Sequence, residues 1–240
     1  MSGCEKLKMF PEISEPMEHL TSLNLDQSGI KELPESIENL VFLKELSMHG
    51  CKDLEFLPNR LSKLTNLETI RLNHCSKFLK LPSLPPSLLY LSLDYCEKLK
   101  SLPELPSLCL DLYARGCTSL EKILKWRAPL LDDLDIDITG NRGDSVQTFD
   151  FYGCEKLEQN TCNTMLDNRA VIQILSRLKF VKAGNDNINV PVLRYPGYEI
   201  PKWFSYQTCG TSINNIMLPP YWNNDDFLAL AFCIVLRRNN

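Results

Sequence analysis

Leucine recurs through the first half of the chain in a fixed frame of hydrophobic and polar positions. The frame L-x-x-L-x-L-x-x-C starts at residues 20, 43, 67, 88 and 109, so successive copies lie 21 to 24 residues apart. A Phe-Pro or Leu-Pro pair keeps the same period, beginning at residues 10, 33, 57, 81 and 102. Leucine patterns with a period of roughly 20 to 29 residues are typical of leucine-rich repeats. The spacing predicts an α/β leucine-rich-repeat solenoid over residues 1–160.

Each L-x-L segment is predicted to be a short strand whose leucines point inward, because side chains alternate between the two faces of a strand. Stacked coils would align these strands into a parallel sheet on the concave face. The interleaved positions then face outward, and they are polar, charged or aromatic. We predict a protein-binding surface there, with a merely solvated face as the alternative. Its predicted residues are Asp26, Glu45, His49, Arg71, Asn73, Tyr90, Asp94, Asp111, Tyr113 and Arg115.

Cysteine is tied to the repeat register. Cys51, Cys75, Cys96 and Cys117 all occupy the ninth position of the frame, where a small weak donor suits a crowded turn. Cys154 joins them if Val146-Phe149-Phe151 is a degenerate last coil. We interpret these cysteines as reduced, buried thiols, which favours a cytoplasmic protein, or one shared between cytoplasm and nucleus. Each Leu-Pro pair is predicted to end the return segment of its coil, because proline lacks an N–H.

The repeat rhythm breaks over an insert at about residues 118–145. Asp133, Asp135, Asp137 and Asp144 stand at positions 1, 3, 5 and 12 of a would-be calcium loop. However, Ile138 takes the sixth position, where the sharp turn needs glycine. The strict alternation of aspartate with leucine or isoleucine instead favours a half-buried strand.

The remainder of the chain divides into a helical and a strand-rich part. Residues 161–188 are predicted to hold a capping helix and linker, since Val171, Ile174, Leu175 and Leu178 recur at helical spacing. From residue 189 to residue 240 short apolar runs, the first at Val190–Leu193, alternate with proline, glycine and asparagine turns. This texture predicts part of a β-sandwich.

Charge and hydropathy exclude several kinds of partner. The net charge is −4 with scattered lysines and arginines, so we expect no nucleic-acid binding. The longest apolar stretch, Phe227 to Leu236, is too short to span a bilayer, so we expect no membrane association. Met1 would fall inside a repeat, and the other end follows a strand-like run. We therefore expect a chain that is cut at both ends.

The sequence contains few residues and no motif typical of an enzyme active site. The chain has three histidines, His19, His49 and His74, and it lacks G-x-S-x-G, H-E-x-x-H and dinucleotide-binding motifs. A zinc pair of His49 and His74 with two thiols is conceivable, but the spacing matches no compact zinc knuckle. We expect no catalytic, cofactor-binding or metal-binding residues and no cofactor.

Near the C-terminus the chain resembles a known family. The run Pro196-Gly197-Tyr198-Glu199-Ile200-Pro201-Lys202-Trp203-Phe204, followed by Leu218-Pro219-Pro220-x-Trp222, is similar to the signature of a jelly-roll-like post-repeat domain called C-JID. The repeats likewise resemble those of plant intracellular immune receptors that also carry a Toll/interleukin-1-receptor-like (TIR) domain and a nucleotide-binding domain. We expect the motif aromatics to be core residues, with ligand contact as the alternative. The motif residues are Pro196, Gly197, Glu199, Ile200, Pro201, Trp203, Phe204 and Trp222.

The resemblance implies a sensing region without its signalling domains. In that family the repeats and the post-repeat domain recognise pathogen effectors or a guarded host protein, and they contact the nucleotide-binding and TIR domains to hold the receptor inactive. The N-terminal TIR domain cleaves NAD. This chain has no G-x-x-x-x-G-K-[ST] phosphate loop, and residues 189–240 resemble only the opening strands of a C-JID. The alternative is a free-standing repeat adaptor or decoy.

Overall fold

Short parallel strands, stacked coil upon coil, form the main sheet. The structure, a computed structural model, describes residues 3, 5–106, 109, 111–124 and 148–158 and the backbone of Val192–Arg194. Seven strands pair in the order β1-β2-β3-β4-β6-β8-β9, and β5 pairs with β7 in a second sheet. Their bounds are β1 (Ser22–Asn24), β2 (Glu45–Ser47), β3 (Thr69–Arg71), β4 (Tyr90–Ser92), β5 (Ser101–Leu102), β6 (Asp111–Tyr113), β7 (Lys122–Ile123), β8 (Thr148–Asp150) and β9 (Val192–Arg194).

The register of the main sheet confirms the predicted solenoid. The middle residue of every strand aligns with the middle residue of its neighbours, and in β1 to β8 these side chains are buried. Since no single coil could bury its own leucines, the stack as a whole forms the core. The aligned residues are Leu23, Leu46, Ile70, Leu91, Leu112 and Phe149.

Two short 3₁₀ helices lie in the segments between β1 and β2 and between β2 and β3, and they contact each other. They span Glu35–Asn39 and Asn59–Lys63, and each starts directly after the proline of a Leu-Pro pair, Pro34 or Pro58. The Leu-Pro pair thus begins this turn in those two coils, whereas the sequence analysis had it end the return segment. Proline suits the position because its φ is already close to the helical value and its missing N–H would have no helical partner.

The described residues contain no α-helix, so the α/β class is supported there only by the parallel sheet and 3₁₀ helices. None of the described helices has the length or apolar character needed to cross a membrane. The predicted capping helix at 161–188 and the jelly-roll strands after residue 195 lie outside the described residues, as do the aspartates of the would-be calcium loop.

A second backbone ladder runs just before the Leu-Pro pairs. Phe56 forms a parallel bridge with Lys80, and β5 pairs with β7 one and two coils further on. The intervening N–H groups continue the pattern, as in Leu79 N to Glu55 O at 3.1 Å. Several coils therefore hydrogen-bond to the next along a second line besides the main sheet.

The coils on either side of the insert meet directly in the sheet. β8 pairs with β6, with Phe149 beside Leu112, which confirms the predicted degenerate coil for its described residues, Phe149, Phe151 and Cys154. The strand at Val192–Arg194, which the sequence analysis assigned to the β-sandwich, pairs in parallel with β8. It is the seventh strand of the repeat sheet, because its backbone register continues that of Thr148–Asp150.

A tight turn with positive φ follows β1, β2, β3, β4, β6 and β8. Gln27, Gly50, His74, Tyr95, Gly116 and Gly153 share the eighth position of the frame, and their φ angles lie between 57° and 80°. A positive φ at the third residue of a turn is the signature of type II, which favours glycine. In five of these coils the N–H of the ninth residue closes the turn on the carbonyl of the sixth, as in Cys75 N to Leu72 O at 3.3 Å.

The thiols form the ladder that their register predicts. Each donates to the sixth-position carbonyl of the preceding coil, as in Cys75 Sγ to Met48 O at 3.1 Å and Cys96 Sγ to Leu72 O at 3.1 Å. Met48 O also accepts the N–H of Cys51 at 3.2 Å, so the thiol engages its second lone pair. The cysteines at positions 51, 75, 96, 117 and 154 are buried and free, which confirms that interpretation for the described residues.

We expect Cys75→Ala to lower the free energy of unfolding by about 1–2 kcal/mol, because it removes a buried donor and leaves a small void. Cys75→Ser should cost less, since Ser28 occupies the equivalent position of another coil and is buried there. Chemical denaturation of the two variants checks this. A serine variant less stable than the alanine variant would show that the hydrogen bond is not the reason for cysteine.

Candidate protein-binding face

The outward side of the main sheet, here called the sheet face, carries three aligned rows of side chains. The first two rows are the outer residues of the strands, and the third consists of the seventh positions of the frame, just past the strands. All ten predicted binding residues lie on these rows. The rows are Ser22, Glu45, Thr69, Tyr90, Asp111 and Thr148; then Asn24, Ser47, Arg71, Ser92, Tyr113 and Asp150; then Asp26, His49, Asn73, Asp94, Arg115 and Tyr152.

Aromatic and arginine side chains meet at the centre of the sheet face. The rings of Tyr90 and Tyr113, on adjacent strands, have centroids 5.6 Å apart and are tilted by 41°. Arg71 places its guanidinium carbon 5.4 Å from the Tyr90 centroid, and Arg115 places its own 5.5 Å from that of Tyr113. Glu45 extends the row, with its Oε2 3.9 Å from Arg71 Nη1. These five side chains form one continuous network across β2, β3, β4 and β6.

Arg115 also joins three coils by charge. Its Nε lies 3.5 Å from Asp94 Oδ2 of the preceding coil and 3.3 Å from Asp150 Oδ2 of the next. Asp150 is fully buried, whereas the side chain of Arg115 keeps 42% of its exposure. The backbone N–H of Arg115 donates to Asp94 Oδ1 at 2.8 Å. Arg115 therefore ties the coils before and after the insert together.

Other predicted residues of the face hold the backbone of neighbouring coils. Asp26 Oδ1 accepts the Ser47 hydroxyl at 2.6 Å and the His49 N–H at 2.8 Å. Asp111 Oδ1 accepts the Thr148 N–H at 2.9 Å, and Asn73 Oδ1 accepts the Ser92 hydroxyl. These contacts span coil to coil, so substitutions there would affect the fold as well as any binding.

Two exposed aromatic residues of this face were not among the predicted ones, Tyr152 on the third row and Tyr95 next to it. Tyr95 is 48% exposed and Tyr152 is 59% exposed. Tyr95 occupies the left-handed eighth position, which carries glycine in three other coils of the main sheet. The recurring Gly-Cys pairs at residues 50, 116 and 153 are the signal that could have identified that position.

His74 stacks on Tyr95, and His49 meets His74 edge-on. The His74 and Tyr95 centroids lie 4.8 Å apart at 11°, and those of His49 and His74 lie 5.4 Å apart at 82°. A metal pair would need thiols beside these rings, but Cys51 and Cys75 are buried and point to backbone carbonyls. Within the part of the chain that the structure describes, no three His, Cys, Asp or Glu side chains are placed to hold a metal ion.

Burial changes the chemistry of the thiols. It raises the pKa of Cys51, Cys75 and Cys117, and it raises the pKa of Cys96 and of Cys109 to about 12. The neighbouring Cys154 thiol raises the pKa of Cys117 still more than burial does. A thiol that keeps its proton is a poor nucleophile, so these cysteines are structural.

Two protein-family models match the chain. The model described as "Disease resistance protein RPS4B-like, leucine-rich repeats" matches residues 1–82. The C-JID domain model matches residues 195–239, which hold the motif from Pro196 to Trp222. This is the leucine-rich-repeat and C-JID region of the plant TIR-NBS-LRR disease resistance family. The C-JID motif residues themselves lie outside the described residues, and neither matched segment is the family's catalytic TIR domain.

Curated relatives from this disease resistance family align along most of the chain. Disease resistance protein RPS4B of Arabidopsis thaliana is 27% identical over 238 residues, which cover 98% of this chain and 17% of that protein. Disease resistance-like protein DSC1 of the same plant is 32% identical over 289 residues, covering 98% and 21% respectively. The chain thus spans about a fifth of the length of these relatives. Among solved structures, the leucine-rich repeat domain of the type III effector XopL is 18% identical, covering 58% of this chain and 63% of that domain, with a TM-score of 0.30.

Proposed function

We propose that the sheet face is the recognition surface of a plant intracellular immune receptor and binds a pathogen effector or a guarded host protein. The relatives are named as disease resistance proteins, and this chain carries their repeats and C-JID. The observation that carries the proposal is the network of Tyr90, Tyr113, Arg71 and Arg115 on one face. Tyrosine and arginine are the residues that most often dominate the binding energy of protein interfaces.

In a complete receptor this region would also contact the nucleotide-binding and TIR domains and hold them inactive. Binding of the effector at the sheet face would then compete with or rearrange those contacts. The protein would act in the cytoplasm, where reduced thiols persist, and the buried free cysteines support that location.

The test replaces Tyr90 and Tyr113 with alanine in the complete receptor. We expect each substitution to weaken partner binding by about 30-fold or more, as for aromatic hot spots, and the pair to abolish cell death triggered by the recognised effector. The measurement is cell death in leaves that express the receptor with each member of an effector panel. Tyr90 and Tyr113 suit the test because their contacts described above lie on the face and not in the leucine core.

The matched control replaces Phe42 and Phe56, which are 48% and 45% exposed and lie outside the three rows of the sheet face. This control should signal normally, and immunoblots should show equal receptor levels. Unchanged cell death in the Tyr90→Ala/Tyr113→Ala receptor, at normal abundance, would remove the centre of the sheet face from the proposal.

A further inference from the structure

His49, His74 and Tyr95 form a row of rings along the edge of the sheet face, here called the aromatic ladder. The three residues come from three successive coils, at the seventh or eighth position of the frame. His74 and Tyr95 stack almost in parallel, and His49 closes the row edge-on. The ladder thus continues the aromatic character of Tyr90 and Tyr113 beyond the ends of the strands.

The backbone does not require rings at these positions. His74 and Tyr95 both have φ of 61°, a conformation that non-glycine residues adopt only at an energetic cost. Gly50, Gly116 and Gly153 fill the same turn position in other coils with φ of 70°, 66° and 80°. The fold would accept glycine at both places, so a role in the turn does not explain the two rings.

Beyond Tyr95, the same turn position in the next two coils is occupied by glycine, Gly116 and Gly153. The Tyr95 ring lies over Gly116, since a Cβ at Gly116 would stand 2.7 Å from Tyr95 Cδ1. A Cβ at Gly153, one coil further, would meet only the Gly116 backbone within 4 Å among the described residues. Tyr95 and Tyr152 are each about half exposed. A planar group of a partner has room to stack beside the Tyr95 ring, above the two glycines.

Carboxylates lie close to the ladder. Asp26, whose hydrogen bonds come from the neutral groups of Asn24, Ser47 and His49, stands beside its first ring. Asp94 precedes Tyr95 in the chain and pairs with Arg115 Nε at 3.5 Å. Across β1 to β8 the three rows hold five carboxylates and two guanidinium groups. The field along this edge therefore favours a cation.

We propose that the aromatic ladder binds arginine side chains of the protein partner, an inference that rests on the proposed recognition function. A guanidinium group is planar, stacks on aromatic rings and pairs with carboxylates in one geometry. A lysine ammonium would gain the charge attraction without the same stacking. A nucleic acid would bring phosphates towards Asp26 and Asp94, which disfavours it. The partner segment that reaches this edge is thus basic and contains arginine.

The experiment compares two labelled peptides on the full 240-residue chain. One peptide carries three arginines separated by glycines, and the other carries lysines at the same places. Fluorescence anisotropy at low and at physiological salt measures both affinities. We expect the arginine peptide to bind about 2- to 5-fold tighter than the lysine peptide, because the guanidinium stacks on the rings while it pairs with a carboxylate. A labelled oligothymidylate serves as the nucleic-acid probe and should bind more weakly than either.

Glycine substitutions then assign the preference to the ladder. Tyr95→Gly and His74→Gly relieve a positive φ, so both variants should fold, and thermal unfolding confirms that they do. We expect Tyr95→Gly to abolish the preference for arginine. Gln27→Gly is the matched control, because it makes the same backbone change at φ of 57° without removing a ring. It should leave the preference intact.

The proposal is overturned if the two peptides bind equally, if the preference survives Tyr95→Gly, or if oligothymidylate binds more tightly than both. These results are separable from the test of the sheet face. Loss of cell death in the Tyr90→Ala/Tyr113→Ala receptor, together with equal binding of the two peptides, would keep the recognition function and reject only the arginine-binding ladder.

Discussion

Replacing Arg115 with alanine should lower the free energy of unfolding by about 3 kcal/mol, near the lower end of the range for removing one partner of a buried ion pair. The loss is large because Asp150 is fully buried and Arg115 Nε lies 3.3 Å from its carboxylate. Asp94 would lose the same cation. Alanine would also leave Tyr113 without the guanidinium 5.5 Å from its ring. Urea denaturation followed by far-ultraviolet circular dichroism measures the change.

Arg71→Ala is the matched control on the same face. Arg71 also contacts a tyrosine ring, but its ion pair with Glu45 is 3.9 Å long and exposed on both sides. Exposed pairs of this kind contribute about 0–1 kcal/mol, so this variant should unfold nearly like the unchanged chain. Asp150→Asn in the Arg115→Ala background should recover part of the loss, because the buried charge is gone. Equal stability of the Arg71→Ala and Arg115→Ala variants would contradict a stabilising role of the Arg115 ion pairs between coils.

This result bears on how the sheet face is tested. An Arg115→Ala receptor that fails to signal could simply have lost its last coils, so the loss would not identify a binding residue. Tyr90 and Tyr113 avoid that ambiguity, since no buried charge depends on them. The structure therefore divides the predicted face into residues that join coils, such as Asp26, Asp94 and Arg115, and residues that are suited to recognition.

Much of the repeat architecture could be predicted because the governing contacts repeat. The leucine period placed Leu23, Leu46, Ile70 and Leu91 in one buried row, and it placed Tyr90 and Arg71 on the opposite face. The ninth-position register of cysteine likewise predicted thiols that donate to carbonyls. Each of these features depends on one coil and its neighbour, so a pattern within a single period is enough.

Other features depend on contacts between residues whose separation does not follow the repeat period. Asp150 reaches Arg115 only because β8 pairs with β6, a pairing between residues 37 apart in the sequence. The left-handed turn was missed since Gln27, His74 and Tyr95 occupy a position where glycine would have revealed it. Val192 pairs with β8 across a stretch with no leucine frame, so its strand was assigned to the β-sandwich.

Alkaline solution should destabilise the solenoid through its buried thiols. In the unfolded chain a cysteine loses its proton at about pH 8.5, whereas burial raises the pKa of Cys96 and Cys109 to about 12 in the folded chain. The stability that these thiols contribute is therefore complete below about pH 8.5 and is lost between there and pH 12. Each of the two thiols should lower the free energy of unfolding by about 1.4 kcal/mol per pH unit in that window.

The double variant Cys96→Ser/Cys109→Leu isolates this effect, because lysines and tyrosines titrate equally in both proteins. Serine stands at the position of Cys96 in another coil, as Ser28, and leucine stands at that of Cys109, as Leu88. At pH 7 we expect the variant to be slightly less stable than the unchanged chain. Between pH 7 and pH 10 the free energy of unfolding of the variant should rise by about 4 kcal/mol relative to that of the unchanged chain, since two thiols no longer titrate. Denaturation curves from pH 7 to pH 10 measure the difference, and parallel pH profiles for the two proteins would show that burial does not hold the protons on these thiols.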